Sequence, residues 1–580
     1  MISLLISIKQ KAALDTNQKL KRWYSITVML LRVEIEDKII GNKHLLNNLQ
    51  FFVDDDEKIG VVGRNGVGKT TLFNVLAGTD TEFEGSIDAR KGLRMIATQQ
   101  EHHGLGEQSA VEYILTNLPH YARLKHVIDN HPGSMGDDMR KIHEYSDALE
   151  RYGHLNYYDV EDRLLQALAK YQINEKSARL PMTALSGGQK RFVELLVVQF
   201  SEPDLALIDE PTNHMDYIAK AAFIAWLEAA KHGCLVITHD RDVLAKVNRI
   251  IELKDKKAVT YKGNYEAYLK QNTTSTTNQL QNYEIAQKTM ANLKSQIVYA
   301  IARAPGYAGK SANNPFIVMR DRLRKQLKKI EDANPKPSFW IDQESAAALN
   351  PKTTANYEKF KAKNIKMGKH TEGERATNML TINGAQLGYD GIPLFDPVSF
   401  SLQSGERLHI VGRNGAGKTT LVRAIAASVR GDKPATIIKG TITPGRHVRF
   451  NMYEQEMGDK LLDLTLYEAI ENIYRDFDLA INPQSIMRSM GDYLFEPAVD
   501  AMVLVRNLSG GQKARLQLIR MLINKPNLLI LDEPTNHLDL PSIEELENAL
   551  KPYHGAIIYI SHDSYFARNI GGKELKIGTS

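Results

Sequence analysis

The chain has 580 residues, too many for a single core, so two to four domains are expected. Its 43% apolar and 25% charged residues are ordinary for a soluble globular protein, and a net charge of +5 is too small to announce nucleic-acid binding by itself. One cysteine, Cys234, excludes a disulfide framework, a cysteine zinc site and a cysteine-ligated iron–sulfur cluster. No apolar run approaches the roughly 18–20 residues that span a bilayer, so no membrane span is expected.

Residues 1–28 hold five Lys/Arg and one Asp without sustained periodicity. Their charges follow the short apolar ISLLISI instead of preceding it, the reverse of a secretory signal. The segment is expected to be a disordered basic extension or the product of an upstream start codon, with the folded chain starting at Met29. EKIGVVG (Glu57–Gly63) then reads as a buried strand feeding the glycine loop GRNGVGKT (Gly63–Thr70), and TTLFNVLAG continues as a helix. LSGGQK follows at Leu185–Lys190, LIDEPTNHMD at Leu207–Asp216 and THD at Thr238–Asp240. Cys234, in the apolar CLVITHD, reads as a core residue.

The same series then returns. GRNGAGKT occupies Gly412–Thr419 after ERLHIVG, LSGGQK Leu508–Lys513, LILDEPTNHLD Leu529–Asp539 and SHD Ser561–Asp563. From LSGGQ onward the offset is constant at 323 (185 to 508, 210 to 533, 239 to 562). Short buried strands alternating with helices predict two parallel α/β cassettes, at about 29–268 and 378–580. The glycine loop lies 122 positions before LSGGQ in the first (63 to 185) and 96 in the second (412 to 508). The first cassette therefore holds a net 26 extra residues, placed at about 120–159.

Residues 269–377 resemble neither cassette. Gln271–Arg303 reads as a helix with Ala286, Met290, Leu293, Ile297 and Ala300 on one stripe. Phe316–Ile330 reads as a second, with Met319, Leu323, Leu327 and Ile330 together. The intervening APGYAGKSANNP breaks any helix, which predicts an antiparallel hairpin with an irregular tip. Lys288–Lys336 hold eleven Lys/Arg against three acids, so the linker is basic.

The repeated residues specify phosphate chemistry. In GxxxxGK[ST], glycines let backbone N–H groups wrap phosphates at a helix N-terminus. Gly63, Asn65, Gly66, Gly68, Lys69, Thr70 and Thr71 form one such loop; Gly412, Asn414, Gly415, Gly417, Lys418, Thr419 and Thr420 form the other. Lys69 and Lys418 are expected to neutralise the β- and γ-phosphates of ATP, and Thr70 and Thr419 to coordinate Mg²⁺. Asp209 and Asp532, each ending an apolar strand, are expected in the Mg²⁺ shell. The following Glu210 and Glu533 are placed to polarise an attacking water, so ATPase activity is expected. His239 and His562 lie 29 positions after those glutamates in both halves and are assigned to the γ-phosphate and catalysis. In LSGGQ, Ser186, Gly187, Gly188 and Gln189, and again Ser509, Gly510, Gly511 and Gln512, form a second anion site at a helix start.

LSGGQ beside these loops resembles the ATP-binding-cassette (ABC) superfamily. That resemblance implies that the LSGGQ of each cassette closes over the other's ATP: Gly63–Thr71 would face Leu508–Gln512, and Gly412–Thr420 would face Leu185–Gln189. It also marks Gln100 and Gln455 as glutamines that reach the metal and water. Tyr389 falls where a superfamily aromatic stacks on adenine, and its counterpart at an offset of 349 is Ile40. EPTNHMD and EPTNHLD, the charged hairpin and the extra residues of the first cassette together resemble the ABC-F family over about residues 29–580. The resemblance implies a cytoplasmic monomer whose cassettes pair with each other. It would enter the ribosomal E site with ATP bound and reach the P-site tRNA and peptidyl transferase centre, as a translation factor or an antibiotic-protective one. The extra residues become an arm and the hairpin a P-site tRNA interaction motif. Arg303, Tyr307, Lys310, Arg320, Arg322, Arg324, Lys325, Lys328 and Lys329 are then candidate contacts to rRNA and tRNA. The competing reading is a soluble ATPase subunit of a transporter, or a nucleic-acid-remodelling ATPase.

Overall fold

A computed structural model of the chain describes residues 29–41, 43–98, 108–133, 136, 138–213, 215–303, 315–333, 377–432, 436–453, 459–493, 495–508, 510–536 and 538–578. The chain divides into two compact units. One contains both cassettes, Met1–Thr260 with Ala362–Ser580, and the other is Tyr261–Lys361. The helix expected to start at Gln271 begins at Tyr265, and Tyr268 already meets Tyr261 edge-on and Tyr265 at a tilt within the second unit.

Each cassette is built on a largely parallel sheet whose inner strands are short apolar runs. In the first, the strands are β1 (Met29–Ile40), β2 (Lys43–Asp54), β3 (Lys58–Gly63), β4 (Glu84–Ala89), β5 (Met95–Ala97), β6 (Leu205–Asp209), β7 (Gly233–Ile237), β8 (Arg249–Lys254) and β9 (Lys257–Lys262). One sheet runs β5-β6-β7-β3-β8-β9, and the pairs from β5 through β8 are parallel. Every residue of β7 is buried, Cys234 included, as expected of a strand covered on both faces. A second sheet, β2-β1-β4, is antiparallel and shares a core with it through Leu30, Val33, Leu46, Ile59, Leu207 and Leu235.

The second cassette repeats the plan with β10 (Asn378–Tyr389), β11 (Ile392–Pro393), β12 (Val398–Gln403), β13 (Arg407–Val411), β14 (Ile437–Pro444), β15 (Phe450–Tyr453), β16 (Leu528–Asp532), β17 (Ala556–Ile560) and β18 (Lys573–Lys576). Its parallel sheet runs β15-β16-β17-β13-β18, and β10 pairs antiparallel with β11, β12 and β14. In both cassettes the strand before the glycine loop, β3 or β13, lies inside the sheet, so the loop emerges at the carboxyl edge beside the ends of β6 and β7 or of β16 and β17.

The helical part of the first cassette contains Tyr121–Asn130 and Met139–His154, packed on each other, with no counterpart between Leu466–Asp476 and Pro483–Asp492 of the second. Tyr152 of this pair meets Tyr121 and Tyr157 at ring-centroid distances of 6.0 and 5.5 Å.

In the second unit, helices Tyr265–Arg303 and Pro315–Ala333 pack together. Ala286, Met290, Ile297, Ala300 and Leu323 are buried and Leu293, Leu327 and Ile330 partly so. Met319, expected on the buried stripe, is 39% exposed, and the partly buried Phe316 lies one turn earlier. The tip between the helices lies outside the described residues. Among the described residues no helix is long and apolar enough to cross a membrane.

Candidate functional site

The glycine loops are shaped by backbone that a side chain would obstruct. Gly68 and Gly417 begin the helices Lys69–Leu76 and Lys418–Arg430 in the left-handed region, at φ 106° and 90°. A Cβ at Gly68 would stand 2.9 Å from Leu45, and one at Gly417 2.9 Å from Phe395. At Gly66 and Gly415, by contrast, a Cβ would meet nothing within 4 Å, so the crown of each loop is open. Beneath it, Lys69 and Lys418 are buried, and each Nζ donates to loop carbonyls. Lys69 reaches Gly63 O at 2.7 Å; Lys418 reaches Gly412 O at 2.7 Å and Arg413 O at 3.0 Å. Burial lowers both ammonium pKa values, and the nearby carboxylates oppose it: Glu210, Asp539 and Asp209 at Lys69, and Glu533, Asp216 and Asp532 at Lys418. A cation this desolvated is suited to a polyanion.

Thr70 and Asp209 come together, the hydroxyl donating to Oδ2 at 3.0 Å. Thr419 likewise bonds Asp532, whose carboxyl is raised by burial and drawn back by that bond. Glu210 and Glu533 follow immediately, at φ 45° and 46°. A non-glycine residue in this region costs roughly 1–3 kcal/mol, and such outliers cluster at functional sites. The turn is held in both cassettes by the glutamate N–H, which donates to Ile237 O at 2.8 Å and to Ile560 O at 3.0 Å. Burial pushes both carboxyls up, with Lys69 and Lys418 opposing; Glu533 is pushed up to about 7.

His239 and His562 reach these groups from the next strand. Burial, with the facing lysine, keeps both imidazoles neutral: His239 falls well below the usual histidine range and His562 falls to about 3. Their postures differ. His239 Nε2 lies 2.9 Å from Lys69 Nζ and 3.5 Å from Glu210 Oε1. The His562 N–H donates to Glu533 Oε2 at 3.2 Å. His562 Nε2 lies 3.2 Å from Glu533 Oε1 but is not aligned for a hydrogen bond, so both atoms are buried without one, as is His239 Nδ1. Glu210, His239, Glu533 and His562 all line one cavity of about 540 Å³ between the cassettes.

Ser186 caps the helix Gly187–Ser201 and exchanges hydrogen bonds with Gln189, a capping box that leaves Gly187 open on its outer side. Gly188 follows in its first turn. Gly510 and Gly511 open the helix Gly510–Leu522, and Gln512 donates to Asp500 at 3.2 Å. Thr71 lies in the helix Lys69–Leu76. Ile40 and Tyr389 are the last residues of β1 and β10, and both are exposed, at 52% and 57%; Tyr389 Oη is 3.5 Å from Thr420 Oγ1. Gln100, Gln455, Ser509, Tyr307 and Lys310 lie outside the described residues. In the second unit, Arg303 lies over the Tyr299 ring at 5.3 Å. Arg322, Arg324, Lys325, Lys328 and Lys329 are exposed on Pro315–Ala333, and Arg320 pairs with Asp321 at 2.8 Å.

Sequence reasoning missed the residues that join the cassettes. Asp539 Oδ2 accepts from Asn65 N at 3.1 Å, and Asp216 Oδ2 accepts from Asn414 N at 3.3 Å. Each glycine loop is therefore touched by an aspartate of the other cassette. The signal was available, because both aspartates close the repeated EPTNH motif at the common offset. Lys220 and Arg241, also at this boundary, carry no such signal, since neither repeats.

The residues present fit ATP with Mg²⁺: open loop crowns, desolvated lysines, threonine–aspartate pairs and unpartnered imidazole nitrogens. Among the described residues no three His, Cys, Asp or Glu side chains form a metal cage. A Mg²⁺ bound through one carboxylate and phosphates requires none.

Comparison with known proteins agrees with this geometry. A family model described as ABC transporter matches residues 46–213 and 395–536, and a second model of the same description matches 251–339. YdiF of Bacillus subtilis strain 168 is 31% identical over 564 residues, covering 95% of this chain and 80% of its own length. ATP-binding protein Uup of Escherichia coli K12 is 28% identical over 533 residues, with 90% and 76% covered. Among solved structures, RNase-L Inhibitor superposes with a TM-score of 0.55 at 16% identity, covering 94% of this chain and 87% of its own. An archaeal ribosome recycling factor, aABCE1, solved with the ribosomal stalk protein aP1, matches with the same values. At that identity the likeness concerns the fold.

Proposed function

Since the chain belongs to the ABC-F family of tandem ATP-binding-cassette proteins, we propose that it is an ATP-hydrolysing factor that works on the ribosome. The observation that carries the ATPase half is the reciprocal contact of Asp216 and Asp539 with the opposite glycine loops, since it makes each site depend on both cassettes. In this reading Lys69 and Lys418 neutralise the β- and γ-phosphates, and Thr70 with Asp209 and Thr419 with Asp532 hold Mg²⁺. The metal, when bound, offsets charge on the phosphate oxygens. Glu210 and Glu533 orient the attacking water, and the neutral His239 and His562 hold their loops against the γ-phosphate. Gln100 and Gln455 complete the metal shell, Tyr389 stacks on adenine, and LSGGQ of each cassette closes over the other's nucleotide.

The ribosomal half rests on the family and on the basic helix Pro315–Ala333. Its exposed Arg322, Arg324, Lys325, Lys328 and Lys329 suit an RNA backbone. We infer that the segment at about 269–377 reaches from the E site toward P-site tRNA and that the Tyr121–His154 pair serves as an arm against the ribosome. The factor is a cytoplasmic monomer that leaves on hydrolysis, with either a general role in translation or protection from antibiotics. The test is ATP turnover by the purified full chain with and without 70S ribosomes. Stimulation of about tenfold or more supports this reading; turnover indifferent to ribosomes favours a transporter or nucleic-acid-remodelling ATPase.

A further inference from the structure

The contacts across the cassette boundary are not symmetric. The first cassette supplies two buried cations, Lys220 and Arg241, at 6% and 4% exposure. By the offset of 323 their counterparts in the second cassette are Ile543 and Ser564. Arg241 Nη2 bonds Glu547 Oε1 at 2.6 Å and Asp563 Oδ2 at 2.9 Å, and its guanidinium lies 5.2 Å from the Tyr565 ring centroid. All three partners belong to the second cassette, and Glu547 is steadied further by Asn569 at 2.8 Å. Lys220 Nζ donates to His562 O at 3.0 Å while pairing with Asp240 and Asp242 of its own cassette. The turn Ser561–Asp563 is thus gripped at two successive residues by cations of the opposite cassette. The equivalent turn, Thr238–Asp240, meets no such cation among the described residues. Its flanking Asp242 accepts from the Ser564 hydroxyl, and Asp240 from the Lys220 of its own side.

We propose that Arg241 and Lys220 are positioning residues acting in trans: they fix the His562 turn of the second site from the first cassette, so that this site is assembled by cassette pairing to a degree that the first is not. The physical reason is the cost of separation. A guanidinium bonded to two carboxylates is a strong, directional contact when dry. Withdrawing it leaves Glu547 and Asp563 in a low-dielectric pocket without their counter-charge. Burial already raises the Glu547 carboxyl above the usual range with Arg241 in place. Lys220 is held as a cation because Asp240 and Asp242 outweigh the desolvation that would discharge it. The inference deepens the proposed ATPase reading in its catalytic consequence, but its structural part stands apart from catalysis.

The experiment compares wild type with Arg241→Gln, Lys220→Gln and Arg241→Lys in the full chain. Hydrogen–deuterium exchange without nucleotide is followed in peptides covering 561–566 and 235–240. In Arg241→Gln, exchange at 561–566 is expected to rise about tenfold or more while 235–240 changes less than about twofold; Lys220→Gln, whose side chain also pairs with Asp240, is expected to raise exchange in both turns. In Arg241→Gln, unchanged exchange at 561–566, or an equal rise in both turns, overturns the proposal. Turnover is then read with only one site active. In a Glu210→Gln background, Arg241→Gln should lower kcat about tenfold with KM for ATP within about twofold, and Arg241→Lys, which keeps the charge but not the fork, should recover only part of the loss. In a Glu533→Gln background the same change should cost less than about twofold, and equal losses in the two backgrounds again overturn it. Should Arg241→Gln not fold, Glu547→Gln, which takes away the partner instead of the cation, decides by the same measurements. If Glu210→Gln with Glu533→Gln still hydrolyses ATP, the catalytic reading fails and exchange alone judges the grip.

Discussion

At the ends of β6 and β16 a glutamate occupies the left-handed region, half-buried, next to an aspartate and beside a neutral histidine. A strained, desolvated carboxyl held by the same backbone bond in two cassettes indicates placement for chemistry rather than for packing. Glu210→Gln with Glu533→Gln should therefore lower turnover by about two to four orders of magnitude, the range for loss of a positioned base, while ATP affinity stays within a few-fold. Single-turnover hydrolysis and equilibrium binding check the two halves separately, and robust hydrolysis by the double variant removes both residues from catalysis. The pair Tyr389 and Ile40 makes a quieter prediction. Both end a long first strand and both are exposed, so each has a free face to offer a base. Tyr389→Ala should weaken ATP at the second site by about 1–3 kcal/mol, as for base–aromatic stacking. Ile40→Ala should cost the first site less, because an aliphatic chain offers only contact. Calorimetric titration with one site disabled distinguishes them, and equal losses would break the equivalence of the two strand ends.

At the scale of elements, the periodic and the repeated were legible. The strands before the glycine loops, the helices after them and the two long linker helices follow from apolar runs and spacing alone. The antiparallel β2-β1-β4 and β10-centred sheets were not read, because strands such as β4 (EGSIDA) and β14 (IIKGTITP) carry too few apolar residues to stand out. Met319 shows a different limit: a stripe of apolar residues fixes a helix's face only to within one turn, and the packing used Phe316 and Leu323. The extra helix pair of the first cassette hangs on an aromatic knot. Tyr152 is 7% exposed and touches Tyr121, Tyr157 and Tyr158 edge-on or tilted. Tyr152→Ala should destabilise this pair by about 3–5 kcal/mol, as for other large aromatic truncations. Faster proteolysis within residues 121–154, with ATP binding intact, is the expected result; loss of ATP binding would show that the pair supports the cassette. The helix Pro315–Ala333 should act through charge. Reversing Arg322, Arg324, Lys325 and Lys328 should weaken ribosome association and flatten its dependence on salt, since each phosphate contact contributes to the slope. A slope unchanged in filter-binding or sedimentation titrations would make the helix a solvated spacer.

For the whole molecule, the repeat announced two cassettes, and ABC-F membership follows from motifs that the comparisons match across both. The Arg241–Glu547 part of what joins the cassettes was hidden, because these residues are 306 positions apart and neither belongs to a repeated motif. Contacts of that kind are invisible to periodicity and to self-comparison, which find only what the two halves share. They nevertheless tie the two cassettes together with buried, charged contacts. We propose that this paired state, with ATP retained, is the state that engages the ribosome. Its most direct test is sedimentation of the Glu210→Gln, Glu533→Gln chain through a sucrose cushion with 70S ribosomes, with ATP and with ADP. The ATP-loaded variant should pellet near one copy per ribosome and remain in the supernatant with ADP, whereas equal pelleting in both, or none in either, would contradict the claim.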